Sequence, residues 1–235
     1  RYAWRGTPPR RPQGIAARPP YPYDRRWVGE FNFGYNGSEN FAKGHRFGFF
    51  PSVALGWLLS EEHFMEGVKD KLTKFKIRAS VGSVGNDDIG GNRRFAYLTT
   101  IHSNANGYNF GYDASTYFSG VEEGEVGVSD LTWERSLKAN VGLEIGLWHA
   151  FSLQVDFFNE RRTNIFMQRS TIPTQTGFLS TPYANFGKVD NMGFEAQIAY
   201  NKRFNDDWSL SLRGTFTYAK NTIIEIDEPE SIKKN

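Results

Sequence analysis

Few side chains in this 235-residue chain are of the types that make and break bonds, and none sits in a catalytic pattern. There is no cysteine, which excludes disulfides, thiolate metal ligands and thiol catalysis. His45, His63, His102 and His149 are scattered over separate connections without paired ligand spacing. Gly85-Asn86-Asp87-Asp88-Ile89-Gly90 lacks the ligand positions and closing Glu of a calcium loop, so it reads as a turn. Gly82-Ser83-Val84-Gly85 is not a nucleophile elbow, and Glu122, Glu123 and Glu125 read as an exposed acidic loop rather than an acid/base pair. An enzyme is therefore not expected, nor a metal or cofactor. What remains is binding chemistry. In the stretch 102–120, Tyr108, Phe110, Tyr112 and Tyr117 offer ring faces on which sugars could stack, and Asn104, Asn106 and Asn109 offer amides for hydroxyl groups. The same residue types also fill ordinary surface loops.

The elements that would carry these residues are strands. Aromatic residues make up 16% of the chain and there are 24 glycines, a composition that favours β-structure. Alternation of apolar and polar residues predicts seven strands at about 26–36, 46–59, 74–84, 132–147, 151–165, 186–201 and 208–220. The clearest runs through Leu137, Ala139, Val141, Leu143, Ile145 and Leu147, opposite Ser136, Lys138, Asn140, Gly142 and Glu144; Arg135 breaks its apolar face. Residues 60–73 read as a short amphipathic helical turn capped by Ser60, with Phe64, Val68 and Leu72 four apart. Residues 85–131 form a long Gly/Asn/Tyr-rich excursion with a short strand expected near 95–101. Residues 1–24 hold six of the ten prolines and are expected to be irregular or extended; 222–235 reads as a polar loop or tail.

Several strands exceed the ~5–6 residues usual in globular sheets and reach the ~9–11 needed to cross a bilayer. Long connections follow the first, third and fifth strands, and short ones the fourth and sixth. This asymmetry, with Trp27, Trp57, Trp133, Trp148 and Trp208 near strand ends, matches an antiparallel transmembrane β-barrel with aromatic girdles. A mean hydropathy of −0.55 does not oppose this, since alternating strands average polar. Charged residues between the apolar ones (Glu30, Lys76, Arg78, Glu134, Lys138, Glu144, Asp156, Glu195, Arg213) would line a hydrated interior. The net charge of +2 excludes a strongly basic nucleic-acid binder. The competing reading is a soluble secreted β-sheet protein that binds glycans, its apolar face buried in a core.

Four blocks resemble the SusC/RagA family of TonB-linked outer-membrane proteins: Phe50-Pro51-Ser52-Val53 through Gly56-Trp57 to Ser60-Glu61-Glu62-His63-Phe64; Lys76-Ile77-Arg78-Ala79-Ser80-Val81-Gly82 with Gly85-Asn86 and Ile89-Gly90; Asp130-Leu131-Thr132-Trp133-Glu134 with Asn140-Val141-Gly142-Leu143; and Asn185-Phe186-Gly187 through Asn191-Met192-Gly193-Phe194-Glu195. Val128-Ser129 stands where the family usually has Asn-Pro. The resemblance covers about 25–227 and implies that 25–221 is about seven strands of a 22-stranded barrel in the outer membrane of a Gram-negative bacterium. It further implies an N-terminal plug pulled by the TonB complex, a SusD-like surface lipoprotein as lid, and oligosaccharide or peptide cargo. The seven aromatic and asparagine residues above then become candidate cargo contacts, and loop 170–185 a candidate contact with the lid. No plug is read in this sequence, and residues 1–24 do not match a family strand, which suggests a shifted reading frame or a broken gene copy. A partial wall has two unpaired edges, costly in lipid and prone to aggregate in water. Alone, the chain is expected to be unstable and unable to transport.

Overall fold

The computed structural model describes residues 13–24, 26–90 and 93–228. Among these described residues eleven strands form in chain order: β1 (Gln13–Ala17), β2 (Pro20–Tyr23), β3 (Trp27–Gly37), β4 (Phe47–Leu58), β5 (Leu72–Asn86), β6 (Ile101–Phe110), β7 (Thr116–Glu123), β8 (Glu134–Leu147), β9 (Phe151–Gln168), β10 (Tyr183–Arg203) and β11 (Ser209–Glu225). All pairings are antiparallel. One sheet runs β1-β3-β4-β5-β8-β9-β10-β11, with β2 also on β3, and β6-β7 form a separate hairpin. Among the described residues β11 has no partner beyond β10, so the wall is an unclosed part of a barrel.

The ladder makes the alternation two-dimensional. Trp27, Trp57, Ile77, Leu143, Val155, Ala196 and Phe216 stand opposite one another in a single row across seven strands. The next row is Gly29, Leu55, Ala79, Val141, Phe157, Phe194 and Tyr218. No described residue packs over this face: Val141 is 52% exposed, Phe157 58% and Leu212 58%. The accessible surface is 17355 Å², against roughly 10,800 Å² for a folded soluble monomer of this mass. An apolar sheet face without a second layer contradicts a soluble β-protein and fits a wall whose solvent is hydrocarbon. Along β10 the apolar run from Tyr200 to Met192 is eight steps long. At ~3.4 Å per step and a ~40° tilt it rises about 21 Å, close to the ~25 Å apolar band of such barrels.

The opposite face is polar and paired. Arg78 on β5 and Asp156 on β9 share a row with Gly142 of β8 between them. The Arg78 guanidinium donates to both Asp156 carboxylate oxygens at 2.7 Å. Glu144 receives Lys74 at 2.6 Å, Arg78 at 3.6 Å and Lys76 at 3.9 Å. Backbones two strands apart lie about 9.6 Å apart, so this bridge must cross β8 directly. A Cβ on Gly142 would lie 2.4 Å from both Arg78 Nε and Asp156 Oδ1. The glycine is the gap through which the two charges meet.

The two ends differ. At one end the turns are tight, over 148–150 and 204–208, and 59–71 forms two 3-10 turns, Leu59–Glu61 and His63–Val68. The short helical turn expected there forms as 3-10 turns, without the Ser60 cap or the buried apolar side that its pattern predicts. Ser60 is buried and makes no cap, Phe64 and Val68 are exposed, and Leu72 already belongs to β5. Six residues containing Gly67 are too short to reward an α-helical nucleus. This end carries the stacked pair Trp27–Trp57, with ring centroids 4.8 Å apart. The Trp57 indole donates to Glu62 at 2.9 Å and Arg26 to the same carboxylate at 3.1 Å. These donors, the indole first, hold the Glu62 carboxyl below the usual carboxylate range. A carboxyl lowered in the folded state stabilises above its ordinary pKa and loses that contribution as pH falls through its lowered value. The near-ultraviolet signal of the Trp27–Trp57 stack is therefore expected to hold from neutral pH through the ordinary carboxylate range and to change only below it. In Glu62→Gln it should become insensitive to acid; a transition near neutral pH would contradict the assignment.

Where the prolines point to irregular or extended chain, the described residues are extended: β1 and β2 form one interrupted edge strand on β3. Pro20 and Pro22 sit in β2, at the sheet edge where a missing N–H is tolerated. Residues 1–12 lie outside the described residues. At the other terminus β11 continues to Glu225, so the polar tail begins later than its composition suggests, and 229–235 lie outside the described residues.

Candidate functional site

The long connections gather at the end opposite the tight turns and build a small core there. Phe41, Phe50, Ile89, Val128, Leu131 and Trp133 are buried together. Trp133 is only 7% exposed and its indole donates to the Arg46 carbonyl at 3.1 Å. It therefore belongs to this loop core and not to a lipid-facing girdle. It precedes β8, so the strand alternation that would turn it outward does not govern it. Polar stitches join the loops: Ser38 donates to Asp87 at 2.6 Å, and Thr132 and Asn185 exchange two bonds of 3.1 Å. Asn86 and Asp88 accept from the backbone N–H groups of Asp88 and Gly90, so the loop considered for calcium spends these oxygens on its own turns.

The excursion beyond this core is a β-hairpin. Its strands span 101–110 and 116–123, later than the short strand expected near 95–101. Register places Tyr108 opposite Phe118 and Asn109 opposite Tyr117. Tyr108, Phe110 and Phe118 form an exposed ridge, with ring centroids 5.4 Å apart for the first two and 5.7 Å for the last two, all edge-to-face. The Tyr117 hydroxyl accepts from the Gly107 N–H at 3.0 Å. Gly107 itself has no room for a side chain: a Cβ would lie 1.7 Å from the Phe118 carbonyl oxygen. Tyr112 lies in the exposed turn between the strands. The side chains of Asn104, Asn106 and Asn109 are exposed and make no hydrogen bond within the described residues. The structure thus brings Tyr108 and Phe110 together, joins Phe118 to them, and separates Tyr117 and Tyr112 from the ridge.

The hairpin base is tied to the wall through residues that carry no sequence motif. Arg93 donates to both carboxylate oxygens of Glu125 at 3.1 Å and to the Tyr183 hydroxyl at 2.6 Å. Its guanidinium also lies 4.4 Å from the centroid of the Tyr183 ring, which stacks on Phe166 at 5.1 Å. The Glu125 carboxylate raises the Arg93 pKa further, so the guanidinium stays charged. A cavity of about 160 Å³ opens beside it, lined by Arg93, Phe95, Thr100, Glu125, Phe166 and Tyr183. The loop over 169–182 is clipped to the end of β11: Arg169 and Thr171 both donate to Asp227. The arrangement offers a projecting aromatic ridge on a rigid base, suited to holding planar or ring-bearing ligands by stacking. Among the described residues there is no cluster of His, Asp and Glu arranged to hold a metal ion.

Comparison with known proteins follows this geometry. Residues 15–234 match the family described as TonB dependent receptor-like, beta-barrel. TonB-dependent receptor P39 of Formosa agariphila is 28% identical over 220 residues, 93% of this chain and 20% of its own length. TonB-dependent receptor SusC of Bacteroides thetaiotaomicron is 29% identical over 202 residues, 86% of this chain and 20% of its own length. The chain thus spans about a fifth of the length of the curated relatives it matches. Among solved structures, the RagAB peptide importer in its open-open state superposes with a TM-score of 0.75 at 24% identity, covering 92% of this chain and 22% of that one. The siderophore receptor PirA from Pseudomonas aeruginosa gives 0.54 at 14% identity, covering 90% of this chain and 35% of that one. These likenesses share the fold of the wall.

Proposed function

The chain belongs to the TonB-dependent receptor-like β-barrel family, whose members are receptors and transporters of the Gram-negative outer membrane and not enzymes, and from that premise we propose that it forms wall and outer loops of an importer of large nutrients. The observation that carries this reading is the apolar face left bare across seven strands and bounded by tight, tryptophan-bearing turns at one end. Short turns mark the periplasmic side and long loops the outer side. The hairpin β6-β7 and the loop core then face the cell exterior, where cargo arrives. The paired charges of the inner face line a hydrated lumen.

In the complete receptor, cargo of the oligosaccharide or peptide class rests against the ridge of Tyr108 and Phe110, joined by Phe118, with the free amides of Asn104 and Asn106 on the same strand; Asn109 lies on the other hairpin face, opposite Tyr117. Tyr112 in the hairpin turn and Tyr117 on the other hairpin face are the more remote contacts. A SusD-like lipoprotein covers the outer loops, including 169–182, and TonB acts through a plug outside this chain. The similarity to SusC and to a peptide importer supports this class without choosing between the two cargoes.

Titration of the complete receptor with oligosaccharides and with peptides tests the ridge. Each ring face stacked on a ligand contributes about 0.5–1.5 kcal/mol. Tyr108→Ala with Phe118→Ala is therefore expected to weaken one cargo class about tenfold or more while leaving the barrel folded. Unchanged affinity for both classes would remove the ridge from the cargo path.

A further inference from the structure

We propose that the groove between the tight turn 148–150 and the end of β10, residues 200–203, binds the phosphodiester of an anionic phospholipid in the periplasmic leaflet. The inference rests on the membrane reading above but concerns the opposite end of the wall from the cargo.

A cavity of about 380 Å³ opens there, lined by Trp148, His149, Tyr200, Asn201, Lys202 and Arg203. Tyr200 stands opposite Phe151 and Leu212 in the lowest row of the apolar face. Lys202, opposite Leu210, is the next residue on that face and the point where it turns basic. Among the described residues Lys202 has no carboxylate partner; its ammonium lies 5.6 Å from the centroid of the Phe204 ring. Arg203 differs, being held by Asp206 at 2.9 Å and by the Asn205 carbonyl at 3.1 Å. The groove therefore presents one uncompensated cation at the level where hydrocarbon gives way to headgroups.

The turn beside it is costly for the residues it uses. Trp148 and His149 both adopt the left-handed conformation, at φ 51° and 53°, and Ala150 donates to the Leu147 carbonyl at 3.1 Å. Two-residue turns of this kind favour Asn-Gly, and a bulky residue at positive φ costs about 1–2 kcal/mol. An indole and an imidazole kept in such a place point to a role that Asn and Gly cannot fill. Trp148 and Tyr200 present ring faces to the glycerol region, and Lys202 meets the phosphate. The net negative charge of phosphatidylglycerol complements the lone cation better than phosphatidylethanolamine, whose own ammonium neutralises its phosphate.

The test uses the complete receptor, folded in detergent, stripped of lipid and titrated with phosphatidylglycerol, phosphatidylethanolamine or inorganic phosphate, with retained lipid read by native mass spectrometry. Phosphatidylglycerol should be retained in preference to phosphatidylethanolamine. Lys202→Gln should lower that retention about fivefold, the effect of one cation near an anionic surface. Lys43→Gln, in an outer loop, should leave it unchanged. Trp148→Asn suits the turn better, so it should keep or raise thermal stability while losing retained lipid, a combination that a purely structural role would not give. Equal retention of the two lipids, or equal effects of Lys202→Gln and Lys43→Gln, would overturn the proposal while leaving the barrel reading intact. Displacement of the lipid by inorganic phosphate at equal concentration would overturn the lipid assignment in favour of a free anion. A receptor without the heat-dependent gel mobility of a folded barrel would instead contradict the membrane reading beneath it.

Discussion

Val141→Arg is expected to destabilise the receptor in a bilayer by about 2–4 kcal/mol, the cost of a cation facing lipid near the midplane of such barrels. That is roughly a 30- to 1,000-fold shift in the folding equilibrium. Val141 stands in the middle of the bare apolar rows, between Ala79 and Phe157, and is 52% exposed with no second layer of the described residues over it. In a water-soluble protein a half-exposed valine of this kind tolerates arginine within about 0.5 kcal/mol. The neighbouring Asn140, one residue away and on the inner face, should accept arginine at little cost. Reversible urea unfolding from vesicles measures both variants. A large penalty at 141 with almost none at 140 is the expected result, and equal penalties would contradict the assignment of faces.

The second large effect concerns the glycine between the lumenal charges. Gly142→Val should cost about 1–3 kcal/mol, although valine is the better strand former. The added carbons occupy the space through which Arg78 reaches Asp156, and two bonds of 2.7 Å are lost with the carboxylate left buried. Arg78 is 37% exposed, which places the figure below that of a fully buried pair. A double-mutant cycle separates bridge from backbone: in an Arg78→Met background Gly142→Val should be neutral or stabilising. A full penalty retained in that background would show that the glycine serves some other contact.

How much of this was legible in the sequence follows from which forces are local. Period-two alternation is imposed residue by residue, so all seven long strands and their faces could be read directly. The spacing of short and long connections was equally plain. The hairpin β6-β7 was not, because its Asn, Gly and Tyr residues carry little apolar contrast; the pairing of 101–110 with 116–123 around the Gly111 turn was the available signal. Phe118 was missed for the same reason, since it joins Tyr108 and Phe110 only through cross-strand register. Trp133 misled because strand parity was extended one residue beyond the strand, into a loop core assembled from distant segments. The Arg93–Glu125–Tyr183 tie spans 90 residues and the Arg78–Asp156 bridge 78, and no local pattern announces either. A small hint lay in Gly142, a missing side chain in the middle of an otherwise regular strand.

These 235 residues contain no cysteine, so in a complete receptor cleared of cysteine elsewhere a spin-label scan can read the central strand one position at a time. Single cysteines placed one at a time from Leu137 to Leu147 in the complete receptor, labelled and reconstituted in bilayers, report collision with oxygen from the lipid phase and with a nickel chelate from the aqueous phase. Positions 137, 139, 141, 143, 145 and 147 should be accessible to oxygen and closed to nickel, and the positions between them the reverse. If the odd-numbered positions proved closed to both, the apolar face would be packed against protein, and the wall would not be a membrane wall.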